Sequence, residues 1–310
     1  MDDILIAAEG LTRYYGERLV LHEVSVTLRR GEVLGFLGPN GAGKTTTMRI
    51  LSGVLAPSAG SVRIAGIDLL EEPRAAKQRI GYLPEQPPLH NELTVDEYLS
   101  YCARLHRVPR TEIGAALERV KRRCGLDDAG PRLIGNLSKG YQQRVGIAQA
   151  LIHSPAVVIL DEPTVGLDPI QIREIRALIR ELRADHGVIL STHILAEVQA
   201  VCDRVLLIHQ GRIVLDSFLQ SLEVSAHQWR LTLRHPPPAE DLRALTGAER
   251  VQMLDGERVL LEGAGLDGEA LAQIAVERGW GLVELASHGR SLEEIFVQLT
   301  CGDAVIEAVA

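Results

Sequence analysis

Over roughly the first two thirds of the chain, short apolar runs alternate with Gly/Pro turns and stretches of helical period. Val33–Leu37, Val157–Leu160, Val188–Ser191 and Arg204–His209 have strand length and no polar alternation, as strands covered on both faces do. They predict an α/β core on a largely parallel sheet. Ile4–Leu11, Arg18–Leu28 and Ser61–Ile64 predict a separate antiparallel β layer. Val95–His106 and Thr111–Cys124 have helical period and predict an inserted helical lobe.

The texture changes near Ser221. Strands are expected at Trp229–Arg234, Val251–Leu254, Arg258–Glu262 and Gly281–Ala286. Helices are expected at Ala239–Leu245 (after the Pro236-Pro237-Pro238 break), Gly268–Arg278 and Ser291–Leu299. Asp255-Gly256 is a strong hairpin signal between the second and third strands, and Ser291 with Glu294 forms a capping box for the last helix. This β-α-β-β-α-β order predicts a small C-terminal α+β domain at 221–310, behind a larger domain at 1–220. It carries no catalytic constellation.

Composition narrows the picture. With 33 Lys+Arg against 41 Asp+Glu the formal net charge is -8, which disfavours electrostatic nucleic-acid binding. Cys102, Cys124, Cys202 and Cys301 are scattered, without a C-x-x-C pair or His neighbours, and read as reduced packing residues. Met1-Asp2-Asp3-Ile4 lacks the basic n-region and apolar run of a signal peptide. No apolar stretch approaches the roughly 20 residues that span a bilayer. A soluble, cytoplasmic protein is expected, with any membrane role supplied by a partner.

Gly38-Pro39-Asn40-Gly41-Ala42-Gly43-Lys44-Thr45 fits G-x-x-x-x-G-K-[ST], after the strand Val33–Leu37 and before a helix expected over Thr46–Leu51. The glycines let successive N–H groups curl into one anion-binding nest, and the helix N-terminus adds its dipole. Lys44 would reach the β- and γ-phosphates, the Thr45 hydroxyl would ligate Mg²⁺, and Thr46 continues the donor set. Alone, the loop says only that a nucleotide is bound. Val157–Leu160 then runs into Asp161 and Glu162, at the end of a buried parallel strand where ligands bind. Asp161 is the expected Mg²⁺-organising acid. Glu162 is the candidate to orient or deprotonate the attacking water.

Leu137-Ser138-Lys139-Gly140-Tyr141-Gln142-Gln143-Arg144 resembles the signature motif of ABC transporter ATP-binding proteins. In the order of that family follow Gly166-Leu167-Asp168, similar to the D-loop, and Ser191-Thr192-His193, similar to the H-loop. Tyr15 matches the aromatic A-loop position, and the resemblance covers nearly all of Ile4–Asp216. It is nearest to subunits serving ABC-2-type permeases, whose C-terminal extension often ends in a segment like Ser291–Glu294. It implies a P-loop NTPase core that binds ATP and Mg²⁺, dimerises around two ATPs, and drives transport, by analogy export, through an integral membrane permease. By position, Tyr15 would stack on adenine. Ser138 and Gly140 would donate to the γ-phosphate held by the opposite subunit. His193 would hold γ-phosphate and water with Glu162, and Asp168 would cross the dimer interface.

Two departures from the family pattern stand out. The signature carries Lys139 and Tyr141 where Gly and Gln are commoner. The glutamine-loop position falls on Glu85, a further candidate Mg²⁺ ligand, with Gln86 the alternative if the loop shifts by one residue. A ribosome- or DNA-acting ATPase of the same superfamily is the competing reading, disfavoured by the single cassette, the modest insert between Lys44 and Asp161, and the acidic balance. A regulatory ATP-binding module with little turnover is a third, disfavoured by Glu162 and His193.

Overall fold

The computed structural model describes residues 3–224, 228–263, 265–287 and 292–301. Its chain divides into two compact units, Met1–Ser217 and Phe218–Ala310.

Ten strands begin in the first unit: β1 (Ile4–Tyr15), β2 (Arg18–Arg29), β3 (Val33–Leu37), β4 (Ala59–Ile64), β5 (Ile67–Asp68), β6 (Ile80–Leu83), β7 (Val157–Asp161), β8 (Gly187–Thr192), β9 (Arg204–His209) and β10 (Arg212–Phe218). They form a four-stranded sheet, β2-β1-β4-β5, and a six-stranded sheet, β10-β9-β3-β8-β7-β6. The pairs of the first sheet are antiparallel. In the second, β3 pairs in parallel with β8 and β9, and β7 with β6 and β8.

The uninterrupted apolar runs are explained by cover on both faces. Leu34, Phe36, Ile159, Ile189 and Leu206 pack with Ile6, Leu21, Val26 and Leu28 of the antiparallel layer. Their neighbours Val33, Val158, Leu160, Val188 and Leu190 pack on the other side with Leu99, Val120, Val145 and Ile179 of the helices. Successive residues of one strand thus serve two cores, as the period of two requires. The helical lobe comprises Val95–Leu105 and Ile113–Cys124. Thr94 and Glu97 close a reciprocal capping box at its start, satisfying two otherwise orphaned N–H groups. Cys102 and Cys124 are buried in this lobe and Cys202 is half-buried, all as free thiols.

Two expectations change. The six-stranded sheet includes β6 and β10 beyond the four strands predicted. The helix after the phosphate loop begins at Lys44 rather than Thr46, because the Gly43 carbonyl already accepts Thr47 N–H at 2.9 Å. Lys44 and Thr45 therefore stand in the first helical turn, where their N–H groups have no intrahelical partner. Among the described residues no helix is long and apolar enough to cross a membrane.

The second unit has strands β11 (Gln228–Leu233), β12 (Arg250–Met253), β13 (Arg258–Glu262) and β14 (Leu282–Ser287), in the order β12-β13-β11-β14. All three pairs are antiparallel. Helices Ala239–Thr246 and Gly268–Glu277 complete a β-α-β-β-α-β unit around Leu231, Leu233, Leu242, Val259, Leu261, Leu271 and Trp280. The hairpin at Asp255-Gly256 is present, but its loop runs from Leu254 to Glu257 instead of turning on two residues. The Asp255 carboxylate accepts from the N–H groups of Glu257 and Arg258 at 2.9 and 2.7 Å and from Arg258 Nε at 2.6 Å. These bonds hold its pKa down to about 2 and fix a wider turn. The final helix is Leu292–Cys301; Ser291, half of the expected capping box, lies outside the described residues.

Candidate nucleotide site

A cleft of about 650 Å³ opens beside the end of β3, lined by Tyr15, Asn40, Gly41, Gly43, Lys44, Thr45, Thr46, Glu85, Glu162 and His193, together with Arg18, Val20 and Val165. Five separate chain segments converge there. The β1–β2 hairpin brings Tyr15, the loop after β3 brings residues 40–46, the loop after β6 brings Glu85, and the turns after β7 and β8 bring Glu162 and His193. Glu85, not Gln86, faces this cleft. Gly38, Pro39 and Ala42 complete the loop without lining it.

The loop's shape depends on Gly43. Its φ is 112°, and a Cβ would stand 2.6 Å from Leu21 Cδ2, so no other residue fits without strain. Lys44 curls back over the loop. Its Nζ donates to the carbonyl oxygen of Gly38 at 2.8 Å and lies 3.5 Å from Glu162 Oε1, both side chains being almost wholly buried. His193 presents Nδ1 to both oxygens of Glu162, at 3.0 and 2.9 Å. Facing a carboxylate, that nitrogen is the donor. The ring is half exposed toward the cleft, which leaves Nε2 for a ligand. Glu162 also has φ 51°, a left-handed backbone that costs a non-glycine residue about 1 kcal/mol.

Asp161 lies behind this array, fully buried, and neither carboxylate oxygen has a hydrogen-bond partner. The Ser191 hydroxyl across the β7–β8 ladder is equally unpartnered. Burial raises the Asp161 pKa. The Ser191 and Thr45 hydroxyls, near but outside hydrogen-bonding geometry, pull it down, and the charges of Glu162 and Glu85 push it up. A carboxyl whose two oxygens are buried beside two hydroxyls, yet bonded to none, has the oxygen donor set of a hard divalent cation.

Ser138, Gly140 and Asp168 are not among the residues lining this cleft. Ser138 N-caps the helix Lys139–Leu151, accepting from Tyr141 N–H, and Gly140 is buried against the Gln171 side chain. Asp168 caps the helix Pro169–Leu182, accepting from the N–H groups of Ile170 and Gln171, each at 2.9 Å. Sequence reasoning missed Arg18, Val20 and Val165. Arg18 had a usable signal, because a two-residue turn at Gly16-Glu17 pairs Tyr15 with Arg18 across the hairpin. A second cleft, of about 500 Å³, lies at the seam of the helical lobe and is lined by Arg79, His106, Arg107, Glu112, Arg119 and His153 among others. It contains no residue of the phosphate loop.

A glycine-rich loop feeding a helix N-terminus, with two acids at the end of another parallel strand of the same sheet, defines a P-loop nucleotide-binding protein. The ABC transporter family model matches residues 21–165. Over 204 residues, covering 65% of this chain and 83% of the other, the chain is 43% identical to the ABC transporter ATP-binding protein NatA of Bacillus subtilis. Over the full length of both chains it is 32% identical to the daunorubicin resistance ATP-binding protein DrrA3 of Streptomyces coeruleorubidus. A solved structure of the ATP binding subunit of an ABC transporter superposes with a TM-score of 0.65 at 32% identity, covering 71% of this chain and 92% of that one. The chain belongs to the ATP-binding proteins of ABC transporters. It is the ATP-binding, ATP-hydrolysing subunit of such a system, and subunits of this family work in pairs with separate membrane permeases.

Proposed function

We propose that two copies close head-to-tail around two ATP molecules and that the cycle drives export through an ABC-2-type permease, with this chain held peripherally on the cytoplasmic face. One observation carries the composite-site reading: Lys44, Glu162, His193 and Tyr15 meet in one cleft, while Ser138 and Gly140 of the same chain stand outside it. The kinship with a full-length relative named for daunorubicin resistance supports export.

Tyr15 receives the adenine on its ring face. The N–H groups of residues 41–46 surround the phosphates. Lys44 exchanges the Gly38 carbonyl and its ion pair with Glu162 for the β- and γ-phosphates, which frees Glu162 for water. Glu162 accepts a proton from that water as its oxygen bonds to the γ-phosphorus and the bond to the ADP oxygen breaks. His193 holds the Glu162 carboxyl through Nδ1 and presents Nε2 to the γ-phosphate. Thr45 and Asp161, with Glu85 at the rim, suit Mg²⁺, which when bound neutralises phosphate charge. Ser138 and Gly140 of the second copy donate to the γ-phosphate from the N-terminus of their helix, and Asp168 stands at the same interface. The helical lobe and the Glu85–His90 loop pass the motion to the permease.

The test mixes a Lys44→Ala chain with a Ser138→Arg chain. Each alone forms only broken pockets, but a mixed pair holds one intact pocket. Turnover that reappears on mixing is the expected result. Its persistent absence, with the wild type active, rejects shared pockets.

A further inference from the structure

Among the described buried acids that the mechanism leaves unused, Glu32 is paired with Arg204 and Glu197 is not paired with a cation. Glu197, in the first turn of the helix Leu195–Val201, is 1% exposed and has no cationic partner among the described residues. Its two oxygens are taken by two hydroxyls from different turns. Thr164 Oγ1 donates to Oε1, and Thr192 Oγ1 donates to Oε2 at 2.8 Å. Thr164 lies two residues beyond Glu162, and Thr192 immediately precedes His193. Glu197 therefore joins the turn that carries the proton acceptor to the turn that carries its histidine.

The need for such a tie is visible in the backbone. Glu162 sits at φ 51°, a conformation that persists only where its surroundings hold it. Its N–H donates to Ser191 O at 2.8 Å, which fixes one side of the turn. On the far side, Thr164 is buried at 3% exposure and its hydroxyl is bound to Glu197. Thr192 also accepts the N–H of Ile194 at 3.1 Å, so the same tie orders the chain on both sides of His193. Without Glu197, two buried hydroxyls lose their acceptor and the strained turn loses its far anchor.

We infer that Glu197 is a positioning residue for hydrolysis: through Thr164 and Thr192 it holds the Glu162 carboxyl and the His193 ring in register across the β7 and β8 turns. The inference rests on the roles proposed for Glu162 and His193. It separates binding from chemistry. The phosphate loop does not touch this tie, so nucleotide affinity stays while the water-activating pair drifts. A misplacement of such groups by about 1 Å costs up to about 100-fold in rate.

The test uses the full chain, measuring steady-state kcat and KM for ATP, equilibrium binding of a fluorescent ATP analogue, and thermal midpoint. Thr164→Val removes one donor at nearly constant volume and Thr164→Ser keeps it; Glu197→Gln retains the shape with weaker acceptance. The expected result is a kcat lowered about 10-fold or more in Thr164→Val and Glu197→Gln, with analogue affinity within about twofold of wild type. Thr164→Ser is expected to recover most of the loss. The inference fails if Thr164→Val keeps wild-type kcat, if its defect lies in KM alone, or if Thr164→Ser is as slow as Thr164→Val. Glu162→Gln, measured in parallel, separates the two levels. If it also turns over normally, the role given to Glu162 falls and the positioning inference falls with it. If it is inactive while Thr164→Val is normal, only the positioning inference falls.

Discussion

The two halves of the proposed nucleotide machinery, the phosphate loop and the signature segment, are built differently within one unit. Lys44 and His193 already both contact Glu162, with Asp161 waiting behind them. Ser138 and Asp168, by contrast, spend their side chains on helix N-caps. The first half is a preorganised set of charges. The second is a pair of capped helix N-termini whose backbone donors stand outside the cleft of the first. Binding and catalysis should therefore respond differently to damage in the two halves.

Glu162→Gln gives the largest effect. Losing the proton acceptor should lower turnover by about 10²–10⁴-fold. ATP should still bind, and removing the charge that pairs with Lys44 should favour a closed, ATP-loaded dimer in sedimentation. A monomer under those conditions breaks the comparison, because the first half would then be self-sufficient.

Gly43→Ala and Ser138→Ala sharpen it. The alanine at 43 must accept φ 112° and push Leu21 aside, so a single chain should lose ATP affinity and more than about 1 kcal/mol of stability. Ser138→Ala removes an N-cap, at about 1 kcal/mol, and a hydroxyl donor. Turnover should fall about 10-fold or more, while ATP affinity of the isolated chain, read by titration calorimetry, stays unchanged. Equal affinity losses in the two variants would erase the distinction.

The same contrast runs through what the chain reveals before folding. The phosphate loop, the two acids at the end of β7 and the order of motifs are local, so their residue types and spacing carry the chemistry. The strand β6 was hidden because Gly81 interrupts it. In the fold that glycine admits the helix Lys139–Leu151, a Cβ there lying 2.1 Å from the Ala150 carbonyl oxygen. β10 was hidden because its residues alternate exposed and half-buried, without the apolar run that marks its neighbours. The Glu197 tie could not be read at all. Thr164 and Glu197 are 33 residues apart, and nothing local to either predicts a shared bond. Likewise the caps at Ser138 and Asp168 are ordinary helix starts, and only family resemblance gave them a second task.

The smallest expected effect is the share of the pH dependence carried by a histidine pair at the seam of the helical lobe. His106, at the end of the helix Val95–Leu105, stacks on His153, just after the signature helix, with ring centroids 3.8 Å apart. His153 donates Nε2–H to Ile80 O at 3.1 Å, joining the lobe to β6. Burial, then the charge of His106, lowers the His153 pKa to about 4, and burial lowers that of His106. Arg79, Arg107 and Arg119 line the same cleft against a single acid, Glu112. Both histidines therefore refuse protons that the unfolded chain accepts near its ordinary value of about 6.5. The native state binds fewer protons between pH 6.5 and 4, so stability is full above that window and falls as pH drops through it. The ceiling is about 1.4 kcal/mol per pH unit for each histidine, and partial exposure reduces the total to about 1–2 kcal/mol. His153→Phe keeps a stacking ring and removes the titration. Between about pH 7 and pH 5 the wild-type thermal midpoint should fall by several degrees more than that of the variant. Hydrogen exchange should rise over 95–105 before it rises over 44–51. Parallel melting of the two proteins across this range would show that the histidine pair does not govern the lobe's acid sensitivity.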